Sequence, residues 1–365
     1  MTITDTEAQD MWATLEVDTG INADLLTADL RPPYRHYKPF ADAADDFVSE
    51  AQNTKRFYTG IPEFDTQMRG WGPGHLAIIG GYSHSGKTLL MLHAMRNNRE
   101  AKIAYFSPDE PATLILTKLT SLTHGIPAWE LEARVASGDN EAIRLLRSTA
   151  LDEFPNLIVF DKTLTRQVLI DGYKEACDVW GSEADLNLID YVDLIQGVEL
   201  PPAKFDIIKS FVHDTEAPCV AIHQASRSSG ADGKEMTISS GNYGGEQHAT
   251  FMIGVWRKKA AIMAELAEQR VKFQRSGSDA AAERIEELKH DLQIHEYTLT
   301  ANVVKNKRPG GQLVDAIDFE LAASTGRLFQ MEEGDMPRQY LASLGKGRVE
   351  SKPKTATWSE QEIEF

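Results

Sequence analysis

Eight consecutive residues, Gly81-Tyr82-Ser83-His84-Ser85-Gly86-Lys87-Thr88, constrain this chain more than any others. They fit the phosphate-loop pattern G-x-x-x-x-G-K-[ST]. The flanks fit too: 75–80 is a short apolar run readable as a buried strand, and 88–95 is rich in Leu and Met and readable as a helix. Strand, glycine loop and helix together form an anion nest, because glycines let the backbone wrap closely and the helix start presents free N–H groups. In such a loop Lys87 reaches the β- and γ-phosphates and the Thr88 hydroxyl holds Mg²⁺. The predicted ligands are therefore ATP and Mg²⁺, with all eight loop residues around the phosphates.

Length and composition set the frame. A chain of 365 residues with 42% hydrophobic content can bury one large core or two ordinary ones. It has no run of eighteen apolar residues and no basic-then-apolar start, so neither a membrane span nor a secretory signal is expected. The two cysteines, Cys177 and Cys219, lie far apart in apolar contexts, which speaks against a disulfide framework or zinc site and for a reducing, cytoplasmic home. Net charge is −17, and −8 of it falls in residues 1–50, where three basic side chains face eleven acidic ones. That balance argues mildly against a nucleic-acid partner but leaves room for a local basic lining.

Residues 1–55 read as an acidic arm with one short helix at 41–53. Residues 56–334 read as an α/β core, in which apolar strand candidates at 75–80, 102–107, 156–161, 186–195, 219–224, 251–256, 299–305 and 317–321 alternate at first with helices at 112–123, 141–149, 166–179 and 205–213. That alternation predicts a mostly parallel sheet covered on both faces, with antiparallel late strands at one edge. The charged segment 257–295, broken by Ser276-Gly277-Ser278-Asp279, reads as an inserted helical hairpin: a plain insertion or a docking arm. Residues 335–365 read as a flexible tail whose acidic, aromatic end, Trp358-Ser-Glu-Gln-Glu-Ile-Glu-Phe365, is inert or a peptide ligand.

Phosphoryl transfer needs a carboxylate near the metal, a group that orients water and a cation against the developing charge. Leu186-Asn-Leu-Ile-Asp190 is an apolar strand ending in an acid, the Walker B arrangement, with Asp193 as an alternate. Asp109 and Glu110 follow the strand after the phosphate-loop helix and are candidates to polarise water. Gln224, at the tip of Val220-Ala-Ile-His223-Gln224, is placed to sense the γ-phosphate.

Together these segments resemble the DnaB-type replicative helicases, whose core is a RecA-like ATPase. Tyr58-Thr-Gly-Ile-Pro-Glu-Phe-Asp65 resembles the family's T-G-[FI]-x-x-[LF]-D lead-in, and Phe106-Ser-Pro-Asp-Glu-Pro-Ala112 its F-S-L-E-M-P-A. Ile189-Asp-Tyr-Val-Asp-Leu-Ile195, His223-Gln-Ala-Ser-Arg227, Glu246-Gln-His-Ala249 and Val304-Lys-Asn-Lys-Arg-Pro-Gly-Gly311 follow in family order. The resemblance implies a homo-oligomeric ring, a hexamer, that pulls single-stranded DNA through its centre with ATP bound between subunits, in DNA replication. It matches the family glutamate to Asp109, with Glu110 one place later, and leaves both open. It matches the K-x-R finger that enters the neighbour's site to Lys305 and Lys307, with Arg308 beside them; Lys lacks the planar fork of Arg, so Arg308 is the third candidate. It places DNA loops at 197–205 and 227–245, with Lys204, Arg227 and Lys234 as the basic contacts. The arm at 1–55 is too short for the family's globular N-terminal domain, which suits a compact phage- or plasmid-type member; loader, primase and single-strand-binding partners stay unassigned. Two other readings remain: a RecA-like recombination or loading ATPase that forms filaments on DNA, and a RecA-fold ATPase acting on proteins.

Overall fold

Apolar side chains occupy both faces of the central strands, and this decides the architecture. The computed structural model describes residues 40, 42–225, 235–238, 245–332 and 334–343. The chain divides into two units, Met1–Thr54 and Lys55–Phe365. Of the first, the helix α1 (Asp42–Asn53) is described, and it exposes Phe47 and Val48.

The second unit is built on one nine-stranded sheet: β1 (Leu76–Gly81), β2 (Ile103–Phe106), β3 (Leu157–Phe160), β4 (Leu186–Ile189), β5 (Cys219–Gln224), β6 (Phe251–Trp256), β7 (Thr298–Asn306), β8 (Val314–Ala322) and β9 (Arg327–Gln330). Their order across the sheet is β3-β2-β4-β5-β1-β6-β7-β8-β9. The first six pair in parallel, and the last three add on antiparallel beyond β6. The mostly parallel α/β sheet with antiparallel strands at one edge, expected from the alternation, is therefore the observed one.

Successive residues of a strand point to opposite faces. On β1, Ala77 and Ile79 join one core, while Leu76 and Ile78 join the other. Strand β5 divides the same way, Val220 and Ile222 against Cys219 and Ala221. Helices must cover both faces of such a sheet. They are α2 (Pro62–Met68), α3 (Lys87–Asn97), α4 (Ala112–His124), α5 (Ala128–Ala136), α6 (Asn140–Ser148), α7 (Arg166–Trp180), α8 (Pro201–Thr215) and the short α9 (Gly245–His248). Their ends follow local chemistry. Asp139 accepts the N–H groups of Glu141 and Ala142 at the start of α6, Thr165 accepts that of Val168 in α7, and α8 opens on two prolines.

Between β6 and β7, α10 (Lys258–Ser276) and α11 (Asp279–His295) form a helical hairpin zipped by Leu266, Ile285 and Leu288. Helix α12 (Arg338–Ser343) follows β9.

Three differences from the sequence reading have physical causes. Strand β4 stops at Ile189, and Val192–Leu194 form a single 3₁₀ turn, because the chain turns where the Asp190 carboxylate meets Tyr105. Strand β6, though late in the chain, pairs in parallel with β1, so the antiparallel addition begins only at β7. Helix α8 starts at Pro201, four residues ahead of the expected start, since proline at the first helical turn sacrifices no hydrogen bond.

Candidate nucleotide site and basic turn

The loop 81–88 joins β1 to α3 at the C-terminal ends of the parallel strands. Two of its glycines are obligatory. A Cβ on Gly81 would lie 2.3 Å from the Val255 carbonyl and 2.5 Å from Ser85 Oγ. Gly86 sits at φ +99° and its Cβ would meet Leu299 Cδ1 at 2.3 Å. His84 also takes a left-handed conformation, φ 58°. Gly86 is the cap of α3 and offers no side-chain acceptor, so the first N–H groups of that helix stay available to an anion.

Lys87 is buried, 9% exposed, and its ammonium donates to the Tyr82 carbonyl at 2.6 Å. Burial lowers it from 10.5 to about 8, against the opposing pull of Asp190 and Asp193. Asp190, just past β4, is 4% exposed and accepts a hydrogen bond from the Tyr105 hydroxyl at 3.0 Å. Thr88 bonds the same carboxylate. Burial nevertheless holds Asp190 above the ordinary carboxylate range, and it pushes Tyr105 well up, with the Asp190 charge adding to the effect. A hydroxyl and a buried carboxylate side by side are a hard-oxygen donor set suited to Mg²⁺. The glycine cradle, which any Cβ would fill, suits a phosphate chain.

The two acids after β2 separate. Asp109 is exposed. Glu110 turns inward: Oε1 pairs with Lys118 on α4, while Oε2 is buried with no hydrogen-bond partner among the described residues. Its charge reaches both Tyr105 and Asp190. Asp193, the alternate metal acid, faces elsewhere. Its Oδ2 accepts the Gln224 N–H at 3.0 Å and lies 3.3 Å from His223 Nδ1. Burial would raise Asp193, but these bonds and the neighbouring charges hold it below the carboxylate range. Gln224 thus ends β5 with its backbone tied to the turn after β4.

The remaining candidates lie apart from the phosphate loop. Lys305, Lys307 and Arg308 belong to the C-terminal end of β7 and the turn beyond it. Gly81 pairs with Val255, whereas Asn306 pairs with Phe251 at the other end of β6. The two ends are separated by roughly 13 Å of strand, at about 3.3 Å per residue. Lys307 donates to the Gln247 carbonyl at 3.1 Å, and Arg308 Nε and Nη2 are buried with no hydrogen-bond partner among the described residues. The turn is fastened to the lead-in helix α2: Asn306 donates to the Gln67 carbonyl at 3.0 Å, Gln312 N–H to Gln67 Oε1 at 3.2 Å, and Arg69 to the Pro309 carbonyl at 2.5 Å. Helix α2 is itself fixed by Asp65, which accepts the N–H of Thr59 and of Gly60 and the Thr59 hydroxyl at 2.8–2.9 Å.

Lys204, expected in a loop, stands in the first turn of α8, where its ammonium bonds the Asp193 carbonyl. Arg227 and Lys234 lie outside the described residues. The sequence reading missed Tyr105 and Lys118. A tyrosine inside an otherwise apolar strand, four residues before Asp109, was the available signal for the first; nothing marked the second.

The DnaB-like helicase C-terminal domain family matches residues 57–285. A replicative DNA helicase DnaB of Helicobacter pylori is 25% identical over 255 residues, 64% of this chain and 51% of that protein; a second strain's protein is 25% identical over 251 residues. The chain therefore spans about half the length of the curated relatives it matches. Among solved structures, an isolated ATPase domain superposes with a TM-score of 0.60 at 15% identity, covering 80% of this chain and 97% of that one. A DnaB-like replicative helicase, described with its interactions with primase, gives 0.60 at 14% identity, covering 89% of this chain and 74% of that one. Both similarities show the fold.

Proposed function

The chain belongs to the DnaB-like helicase C-terminal domain family, and on that premise we propose that it is an ATP-driven translocase on single-stranded DNA that works as a ring of identical subunits. One observation carries the ring: the basic turn 305–308 and the phosphate loop leave opposite ends of the same sheet. A cation on that turn is far better placed for a neighbour's phosphates than for its own subunit's.

In this reading the backbone of 81–88 and Lys87 hold the phosphates, and Thr88 and Asp190 hold Mg²⁺. The metal's charge would offset that of the phosphate oxygens. Tyr105 fixes the Asp190 carboxylate at 3.0 Å. Glu110, half-buried and already tied to Lys118, is better placed than exposed Asp109 to orient water. Gln224 is linked through Asp193 to Lys204, so a shift at the γ-phosphate position is passed to the start of α8. Lys305, Lys307 and Arg308 supply the neighbour's cation. The same family premise makes single-stranded DNA the polymer that is moved, with Lys204, Arg227 and Lys234 as its contacts. Among the described residues no helix is long and apolar enough to cross a membrane.

The test measures ATP hydrolysis with and without single-stranded DNA, for wild type and Lys87→Ala, alongside electron microscopy. DNA-stimulated hydrolysis by closed rings, abolished in the variant, is expected. Filaments, or hydrolysis indifferent to DNA at low salt, would overturn the proposal.

A further inference from the structure

Two glycines interrupt the apolar strands beside the phosphate loop. Gly80 of β1 and Gly254 of β6 are register partners, and Gly254 in turn stands opposite Asn302 of β7. Side chains alternate between the faces of a strand, so the row 80, 254, 302 opens a trough across three strands on the face that carries Ile78 and Met252. Glycine inside a strand weakens it and marks a place where another segment approaches closely. Here that segment is 235–238. Met236 is 1% exposed, whereas its neighbours Glu235, Thr237 and Ile238 are exposed. A Cβ on Gly254 would lie 2.5 Å from Met236 Cβ, and one on Gly80 would lie 3.6 Å from Met236 Cε. The Asn302 amide donates to the Met236 carbonyl at 3.0 Å and to Glu235 Oε1 at 3.1 Å. Met236 is thus a single plug, seated in a slot that two glycines leave open and one asparagine fastens.

The plug is packed against the phosphate loop. Tyr82, Ala225, Met236 and Trp256 form one buried cluster, drawn from that loop, the residue after β5, the segment 235–238 and the end of β6. The Tyr82 carbonyl accepts the Lys87 ammonium at 2.6 Å. A phosphate chain competes for that ammonium with stronger, charge-assisted bonds. Taking it away frees the Tyr82 backbone, and with it the ring that faces Met236. On its other side Met236 lies two residues from Lys234, in the stretch between β5 and β6. We propose that Met236 is a positioning residue: seated against Tyr82 it holds the phosphate loop in a resting form, and nucleotide and DNA each favour its unseating. This rests on the translocase reading and gives the polymer a route to the phosphates separate from the one through Gln224. Because coupling between two ligands is reciprocal, whatever unseats Met236 from the DNA side also tightens nucleotide binding.

Peroxide oxidation of methionine to sulfoxide, followed by mass spectrometry on the full chain, reads the seat without DNA. A non-hydrolysable ATP analogue with Mg²⁺ is expected to speed oxidation of Met236 about tenfold, a usual size for coupling between sites. Met68 and Met95, buried in the other core, should keep their rates. Asn302→Ala removes both hydrogen bonds to the segment and should raise the nucleotide-free rate of Met236 toward the same level. ATP hydrolysis with and without oligo-dT then compares wild type, Met236→Leu and Met236→Ala. Leucine refills the slot and should preserve the DNA requirement. Alanine vacates it, so hydrolysis without DNA should approach the stimulated wild-type rate, with oligo-dT adding less than about twofold. Met236 oxidising at one rate with and without the analogue, or only in step with Met68 and Met95, would overturn the proposal. So would a Met236→Ala chain that still needs DNA for its full rate. Wild-type hydrolysis indifferent to oligo-dT would overturn the translocase reading and the DNA half of the proposal together, and the oxidation rates would decide the nucleotide half on their own.

Discussion

Removing the ammonium of Lys87 is expected to stabilise the folded chain while abolishing nucleotide binding. The side chain is 9% exposed, and burial lowers it from 10.5 to about 8. At neutral pH that shift amounts to a cost of about 3 kcal/mol for keeping the charge inside, at 1.36 kcal/mol per pH unit. The single bond to the Tyr82 carbonyl returns about 1 kcal/mol. Lys87→Met keeps the aliphatic stem and discards the charge, so a gain of roughly 1–3 kcal/mol in nucleotide-free buffer follows. The pH dependence gives the sharper reading. Above about 8 the folded chain has released this proton, while the unfolded chain keeps it up to about 10.5. The unfolded state then binds more protons, and stability rises with pH through that window. Between pH 7 and 9.5 the wild type should gain about 2 kcal/mol relative to Lys87→Met, read from equilibrium urea unfolding. Phosphate beside the ammonium raises its affinity for the proton again, so nucleotide binding should take up a proton above pH 8 and weaken as pH climbs. Parallel pH curves for the two chains, or a less stable variant, would refute the reasoning.

Other predictions follow from single contacts. Gly81→Ala drives a methyl into the Val255 carbonyl and Ser85, and should cost at least about 2 kcal/mol in urea unfolding and eliminate binding of a fluorescent nucleotide. Tyr105→Phe deletes the donor on Asp190 without changing shape; kcat should fall about tenfold and the Mg²⁺ needed for half-maximal nucleotide binding should rise, with unfolding little altered. Mixing Lys87→Ala with Lys307→Ala/Arg308→Ala should restore up to about a quarter of wild-type hydrolysis, since random assembly pairs an intact loop with an intact turn at one interface in four. Both variants staying silent together would place the basic turn in its own subunit's site and overturn the action across subunits.

The central sheet was legible because its strands are apolar on both faces. Strands 219–224 and 251–256 stand where those runs begin and end. The overrun of β4 came from the same rule: Tyr191-Val-Asp-Leu-Ile195 is apolar enough to continue a strand, and only the contacts of Asp190 and Asp193 explain the turn. Strand β9 and helix α5 were missed because Arg327-Leu-Phe-Gln330 is short and half polar, and because Ala128–Ala136 buries Leu131 alone. The glycine turn at 81–88 was readable since its conformation is set by local backbone chemistry. The Tyr105–Asp190 bond was not, because it depends on β2 and β4 lying side by side, with Phe106 opposite Ile189. Glu110 and Asp109 are adjacent in sequence, and only the course of the chain into α4 sends one inward and leaves the other in solvent.

The fastening of residues 306–312 to α2 has a mechanical result. Hydrogen bonds from Asn306, Gln312 and Arg69, with the Phe57–Trp71 bridge nearby, make the lead-in and the basic turn one stiff block. Such a block transmits force without flexing: in the ring proposed above its cations would travel with the lead-in as the end of a lever, and stroke length would be set by the swing of the whole body instead of by bending of the turn.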